Sequence, residues 1–329
     1  MKNTKRTFLK AGVILLILVL TALVIPRSTD SYMLRVLNVA MVTYLCVLSV
    51  YVLLGMCGQN SFAQAGLWGV GAYFTANFTM KLGMNPTLSF VLSVAGTALM
   101  AFILGFAFFR LRQYYFTFAS VGLMTILNGL FMNWVDVTGG AMGFQNIACF
   151  SVFGYEFSTE TSKFLMIFVV CIVASLLMCV LSRSALGRSF MAIRDNEMAA
   201  NCMGVNSLLT KSLAFAISGA LCGAAGSLYA YLSGYLSYQS FTYQQSTMYL
   251  IMIMLGGTVN WTGAIIGTLI ISLLQEWVRP LQNYMQLIYG VGIMILMIVQ
   301  PEGILGGGKA LYERIVEKRN ARHDAKECV

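Results

Sequence analysis

Residues 55–73 read GMCGQNSFAQAGLWGVGAY. An apolar run over 33–54 precedes this stretch, and a second follows it. Between them stand Gln59, Asn60, Ser61 and Gln64, amide and hydroxyl side chains among glycines and alanines. In hydrocarbon every backbone amide needs a partner, so broken or polar helix is tolerated only where protein or a water-filled cavity covers it. Small residues also let helices approach closely. Two readings follow for Gln59, Ser61, Gln64, Gly66 and Gly71: lining of a translocation path, or glycine-mediated packing. Residues 252–271, MIMLGGTVNWTGAIIGTLII, interrupt another apolar run with Gly256, Gly257, Asn260 and Gly263, and the same two readings apply. Paired interruptions in two halves of a chain hint at an internal inverted repeat around a path.

The chain has 329 residues, of which 58% are hydrophobic and 10% charged, against about 25% charged in soluble domains. Mean hydropathy is +0.77. The composition places the protein in a bilayer. Spans need about 20 apolar residues. The candidates are 8–25, 33–54, 65–82, 86–109, 115–135, 163–182, 212–234, 246–260, 263–279 and 282–300, an all-α polytopic fold of about ten helices. The N-terminal run lacks a small-residue cleavage site and reads as an uncleaved first span.

Cations orient the spans. With the N-terminus inside, sixteen Lys and Arg fall on the cytoplasmic side, including Arg110, Arg183, Arg188, Arg194, Lys211 and six in the tail. Five fall on the other side: Arg27, Arg35, Lys81, Lys163 and Arg279. The asymmetry predicts both termini in the cytoplasm and an even number of spans. The net charge of +9 flanks the spans instead of forming a nucleic-acid stripe.

The chemistry of an enzyme is missing. There is one His, His323, and eight scattered Cys with no CxxC, which suit buried small hydrophobes better than a disulfide or metal framework. No catalytic motif, cofactor site or metal site is expected. Residues 303–310, GILGGGKA, approach a phosphate-binding loop, but Ala310 stands where a hydroxyl should reach magnesium, and no strand precedes it. If ATP drives this protein, another chain binds it. The spans carry almost no ionisable group. Glu276 with Arg279 three residues on reads as a structural pair, which argues against proton-driven antiport.

The cytoplasmic loop 183–211 holds a short helical pattern over 196–203. Asp195 is positioned to cap it, Glu197 suits its first turn, and Gly204 can end it in the left-handed conformation. Met198, Ala199, Cys202 and Met203 share a face. Such a helix could rest on the membrane or insert in a groove of a partner.

Five segments, in order, resemble bacterial branched-chain amino acid ABC transporter permeases. They are GQNSFAQAGLWGVGAYFTA (58–76), LRQYYFTFASVGLMTILNGLFMNWVDVTGGAMGF (111–144), 187–230 with GRSFMAIRDNEMAANCMGVN, LGGTVNWTGAIIGTLI (255–270) and PEGILG (301–306). The resemblance implies a permease domain over 33–306. It leaves 1–32 as an N-terminal segment with the first span, and 307–329 as a basic cytoplasmic tail. It implies an inner-membrane importer of several chains: two permeases, alike or different, two cytoplasmic ATPases and an extracytoplasmic solute-binding protein. Residues Arg188, Arg194, Asp195, Glu197, Ala199, Ala200 and Gly204 would then form the ATPase-coupling element. The family's EAAxxxG loop is matched at Ala199, Ala200 and Gly204, with Met198 in the acidic place and Glu197 one position early. Gln64 stands where relatives often have His, and Phe62 where they have Leu, so a sugar, nucleoside or urea stays open as substrate. A stand-alone secondary transporter is the alternative class.

Overall fold

The structure is a computed structural model that describes residues 30–277, apart from 112, 153–154 and 158, together with Gly290. The expected spans 8–25 and 282–300, Arg279, residues 303–310 and the tail lie outside the described residues.

Helices dominate. They are α1 (Ser31–Val50), α2 (Gln64–Met80), α3 (Pro86–Phe108), α4 (Gln113–Asn133), α5 (Val135–Thr138), α6 (Glu160–Arg183), α7 (Ala185–Asp195), α8 (Glu197–Cys202), α9 (Ser207–Ser233), α10 (Tyr243–Gly256) and α11 (Thr262–Trp277). α1 runs into a widened π turn over Tyr51–Met56. Five of these segments are long and apolar enough to cross a membrane: Ser31–Met56, Pro86–Phe108, Tyr114–Asn133, Glu160–Arg183 and Ser207–Ser233. α2, α10 and α11 are shorter, at 17, 14 and 16 residues. All eight expected spans inside the described residues are helical, with boundaries shifted by a few residues.

Side-chain distribution is that of a membrane bundle. α3 turns Leu88, Val91, Leu92, Leu99 and Ile103 outward and buries Ser89, Ser93, Thr97, Ala101 and Gly105. That stripe packs on α9, where a Cβ on Gly219 would lie 2.4 Å from the Ala101 Cβ. Without a hydrophobic drive between helices in lipid, such close contact of small residues supplies the packing. α9 is central and meets α1, α2 and α3. Thr75 and Ser227 share a hydrogen bond of 2.7 Å across the α2–α9 contact. Each hydroxyl also lies within donating reach of a carbonyl of its own helix, Gly71 for Thr75 and Gly223 for Ser227, so one donates across and the other within its helix, and neither is stranded in hydrocarbon.

The connections sort to two ends of the bundle. At one end, Asn77 Nδ2 donates to the Val137 carbonyl, Thr87 Oγ1 to that of Ser151, and Phe144–Gln145 pairs antiparallel with Tyr235–Leu236. At the other end, Thr117 Oγ1 donates to the Asn60 carbonyl and Arg194 to that of Gly55. A Cβ on Gly55 would also lie 2.7 Å from the Thr258 carbonyl oxygen, so residues 57–63, 184–206 and 257–261 share one end.

Candidate functional site

The first interruption begins where α1 widens. Gly58 ends the helix in the left-handed conformation, at φ +69. The amides of Gly58 and Gln59 close back on the carbonyls of Leu54 and Leu53, at 3.2 and 2.8 Å. Seven residues, 57–63, separate the π turn from α2, and amides left free there and in the first turn of α2 find hydroxyls. Phe62 N donates to Ser120 Oγ at 3.0 Å, Ala63 N to Ser61 Oγ at 3.3 Å, and Ala65 N to Ser246 Oγ at 3.0 Å. Serines from α4, the break itself and α10 thus satisfy broken backbone inside the bundle, as hydrocarbon demands. Ser61 is one of these partners; nothing in the sequence pointed to Ser120 or Ser246.

The other residues singled out at this break separate. Gly71 is a packing position, because a Cβ there would lie 2.6 Å from Gly223 Cα. Gly66 faces α4, with Leu127 Cδ1 at 2.7 Å from the same added atom. Gln64 is only 1% exposed, and neither atom of its amide group finds a partner among the described residues. The Gln59 Oε1 is buried and unpartnered too. Unpaired buried amides are costly, on the order of 1–3 kcal/mol each. Both glutamines thus have unused hydrogen-bonding capacity, as does the Trp68 Nε1 one turn along α2.

The second interruption is a tight hairpin of α10 and α11. Gly257 has φ +109, and a Cβ on Gly256, Gly263 or Gly267 would fall 1.9, 2.1 or 1.8 Å from a carbonyl oxygen across the hairpin. Gly256, Gly257 and Gly263 therefore serve backbone-to-backbone packing. Asn260 is exposed on the turn, and its carbonyl accepts the Gly263 amide at 2.9 Å. The two interruptions touch, since a Cβ on Gly55 would lie 2.7 Å from the Thr258 carbonyl oxygen.

Next to the first interruption sits the loop 184–206. It holds two helices, where the sequence suggested one. α7 buries Gly187, Phe190 and Ile193 and leaves Arg188 exposed, where its guanidinium donates to the Arg183 carbonyl at 3.0 Å. α8 follows. Its cap is Asn196, whose Oδ1 accepts the Ala199 amide at 3.0 Å, and the expected cap Asp195 is instead the last residue of α7. The reason is local: Asn196 takes the extended conformation a cap needs, while the Asp195 carboxylate is drawn to Arg194 at 3.0 Å. Gly204 ends the turn at φ +85, as its position suggested.

Three tethers hold α8. Ala200 is buried. The Glu197 carboxylate pairs with the Lys211 ammonium at 2.6 Å, and Asn201 Oδ1 accepts from Ser207. The opposite face is bare: Met198 and Met203 are 80% and 85% exposed, and Ala199 and Cys202 are exposed beside them. Lys211 reads in the sequence as a topology-setting cation, yet its side chain is 6% exposed. Its pairing over fourteen positions has no periodic signature. Among the described residues no group of His, Cys, Asp and Glu is placed to hold a metal ion. Glu276, away from this end, accepts from the Tyr32 hydroxyl.

Comparison with known proteins agrees with this architecture. Residues 32–299 match the family model described as the permease component of branched-chain amino acid transport systems. The chain is 28% identical over 320 residues to the high-affinity branched-chain amino acid transport system permease protein LivM of Salmonella typhimurium, covering 90% of this chain and 75% of that protein. It is 28% identical over 322 residues to the protein of the same name from Escherichia coli, at the same coverage. No solved structure matches. A match over most of the chain, on a multi-pass helical bundle with two interrupted spans, identifies it: the protein belongs to the branched-chain amino acid transport permease family, as a non-enzymatic membrane subunit.

Proposed function

We propose that this chain forms half of the path of an ATP-driven importer for branched-chain or related amino acids. A second permease, identical or homologous, supplies the other half. Two cytoplasmic ATPase subunits drive the pair, and an extracytoplasmic binding protein delivers the solute. One observation carries the reading: α8 presents a bare apolar face, Met198, Ala199, Cys202 and Met203, from a tethered root beside the first interrupted span. A short apolar helix face of this kind fits a groove in a soluble partner. The names of the two relatives support the substrate.

In this reading the end bearing α8 is cytoplasmic, the membrane is the inner membrane, and both termini lie inside. Spans over 8–25 and 282–300 complete ten, and the permease domain covers 33–306, between the segments 1–32 and 307–329. The α1–α2 and α10–α11 pairs are broken at the same end, so they are not the equivalent parts of an inverted repeat, which would lie at opposite ends. Gln59 and Gln64 are the path's polar contacts. A mostly apolar path with two amides suits transient passage of a zwitterion, with affinity residing in the binding protein.

The test is ATP-driven uptake by the assembled complex in proteoliposomes, offered leucine, valine, ribose, a nucleoside or urea in turn. Uptake of leucine and valine is expected. Uptake of ribose, the nucleoside or urea in their place would overturn the substrate.

A further inference from the structure

Arg194 stands where the loop meets the first interruption. Its Nη1 donates to the Gly55 carbonyl at 2.8 Å, within the π turn. A widened turn leaves carbonyls poorly matched to the amides that follow, and such turns concentrate at functional sites. The stem of Arg194 lies on Gly58, where a Cβ would meet Arg194 Cγ at 2.9 Å and Cα at 3.3 Å. The same π turn abuts the Thr258 carbonyl, 2.7 Å from a Cβ built on Gly55. Asp195 Oδ1 accepts from Arg194 Nε at 3.1 Å and lies 3.0 Å from Nη2, which holds the guanidinium fork in plane. The side chain keeps 37% exposure, yet one arm of its guanidinium reaches in to the Gly55 carbonyl, and the apolar face of α8 belongs to other side chains.

We propose that Arg194 is a latch: a positioning residue that fastens the root of α8 to the cytoplasmic end of the first interrupted span, which itself abuts the second, so that a displacement of α8 reaches both breaks through the first. This rests on the importer reading above and adds a division of labour to it. Met198 and Met203 grip the partner. Arg194 passes the movement inward and touches no partner. The guanidinium suits the task, because a charge-assisted bond to a carbonyl is stronger than a neutral one, and its fork is fixed by Asp195. α8 keeps its own tethers, Ala200, Asn201 and the Glu197–Lys211 pair, without Arg194. Loss of the latch therefore separates fuel use from transport.

The test compares wild type with Arg194→Met and Arg194→Lys in the complex with its ATPases and binding protein. The readings are co-purification of the ATPase, solute-stimulated ATP hydrolysis and ATP-driven leucine uptake. Hydrogen exchange at the Gly58 and Gln59 amides of the purified permease is a fourth reading that needs neither partner nor solute. Arg194→Met should keep the ATPase bound and hydrolysing, while uptake falls and exchange at the two amides quickens, each by about tenfold or more. Arg194→Lys, which keeps a donor without the fork, should fall between. The latch is overturned if Arg194→Met sheds the ATPase, the outcome expected of Met198 and Met203 variants, or if uptake and exchange stay at wild-type values. A wild-type complex that moves no leucine on ATP would strike the importer reading, and the exchange measurement would still decide the latch. Should Arg194→Met not fold, Arg194→Lys and Gly58→Ala, which crowds the arginine stem, carry the same comparison.

Discussion

Glu197→Gln cuts the tether of the exposed helix. The carboxylate lies 2.6 Å from the Lys211 ammonium, with Lys211 6% exposed and Glu197 45% exposed. Breaking a fully buried pair costs about 3–5 kcal/mol, and an exposed one about 0–1 kcal/mol. With one partner enclosed and the other half in water, the expected cost is about 1–3 kcal/mol. It falls on α8 and not on the bundle, because a helix of six residues is far below the roughly 12–15 residues at which isolated helices become even marginal. Local opening should therefore become easier. The amides of Ala200, Met203 and Val205, which bond to the carbonyls of Asn196, Ala199 and Ala200, should exchange about fivefold to 150-fold faster. Hydrogen exchange read residue by residue in detergent or nanodiscs measures this. Lys211→Met removes the enclosed charge and leaves Glu197 free to turn to water, so it should cost less than Glu197→Gln. Adding Lys211→Met to Glu197→Gln should restore protection. Unchanged exchange in α8 after Glu197→Gln, or a larger effect from Lys211→Met, would refute the reasoning.

Three further outcomes follow from the same geometry. Gly267→Val puts a Cβ 1.8 Å from the Met252 carbonyl oxygen, so the α10–α11 hairpin must part, at a cost of about 3 kcal/mol or more; a fall in the thermal midpoint of the purified chain checks it. At Gly204, φ is +85 with no atom within 4 Å of an added Cβ, so Ala costs only about 1 kcal/mol of backbone strain. Pro cannot adopt that φ and also loses the amide bond to Asn201, so Gly204→Pro should stay in the membrane with ATPase stimulation lost, and Gly204→Ala should retain most of it. Met198→Ser with Met203→Ser leaves the fold untouched, since both side chains are outside it; the pair should weaken co-purification of the ATPase, read by quantifying bound ATPase per permease.

The spans were legible because hydropathy over about 20 residues is a strong signal, and the two breaks because amides and glycines interrupt it. The roles of individual residues were less so. Glycine serves packing and path lining alike, and only the distances at Gly71, Gly256 and Gly263 decide for packing. Capping was displaced by one residue because Asp195 and Asn196 are both good caps, and the choice depended on Arg194 drawing the former away. α7 went unread, since its inward residues Gly187, Phe190 and Ile193 make a short stripe in a polar loop. Long-range partners such as Ser246 for the Ala65 amide and Lys211 for Glu197 leave no trace in local spacing.

The central claim is that energy enters from outside this chain. Purified permease should be reconstituted in liposomes twice, once by itself under sodium and proton gradients without ATP, and once with its ATPases, second permease and binding protein supplied with ATP. The account predicts leucine accumulation only in the second preparation; uphill leucine accumulation in the first would contradict it.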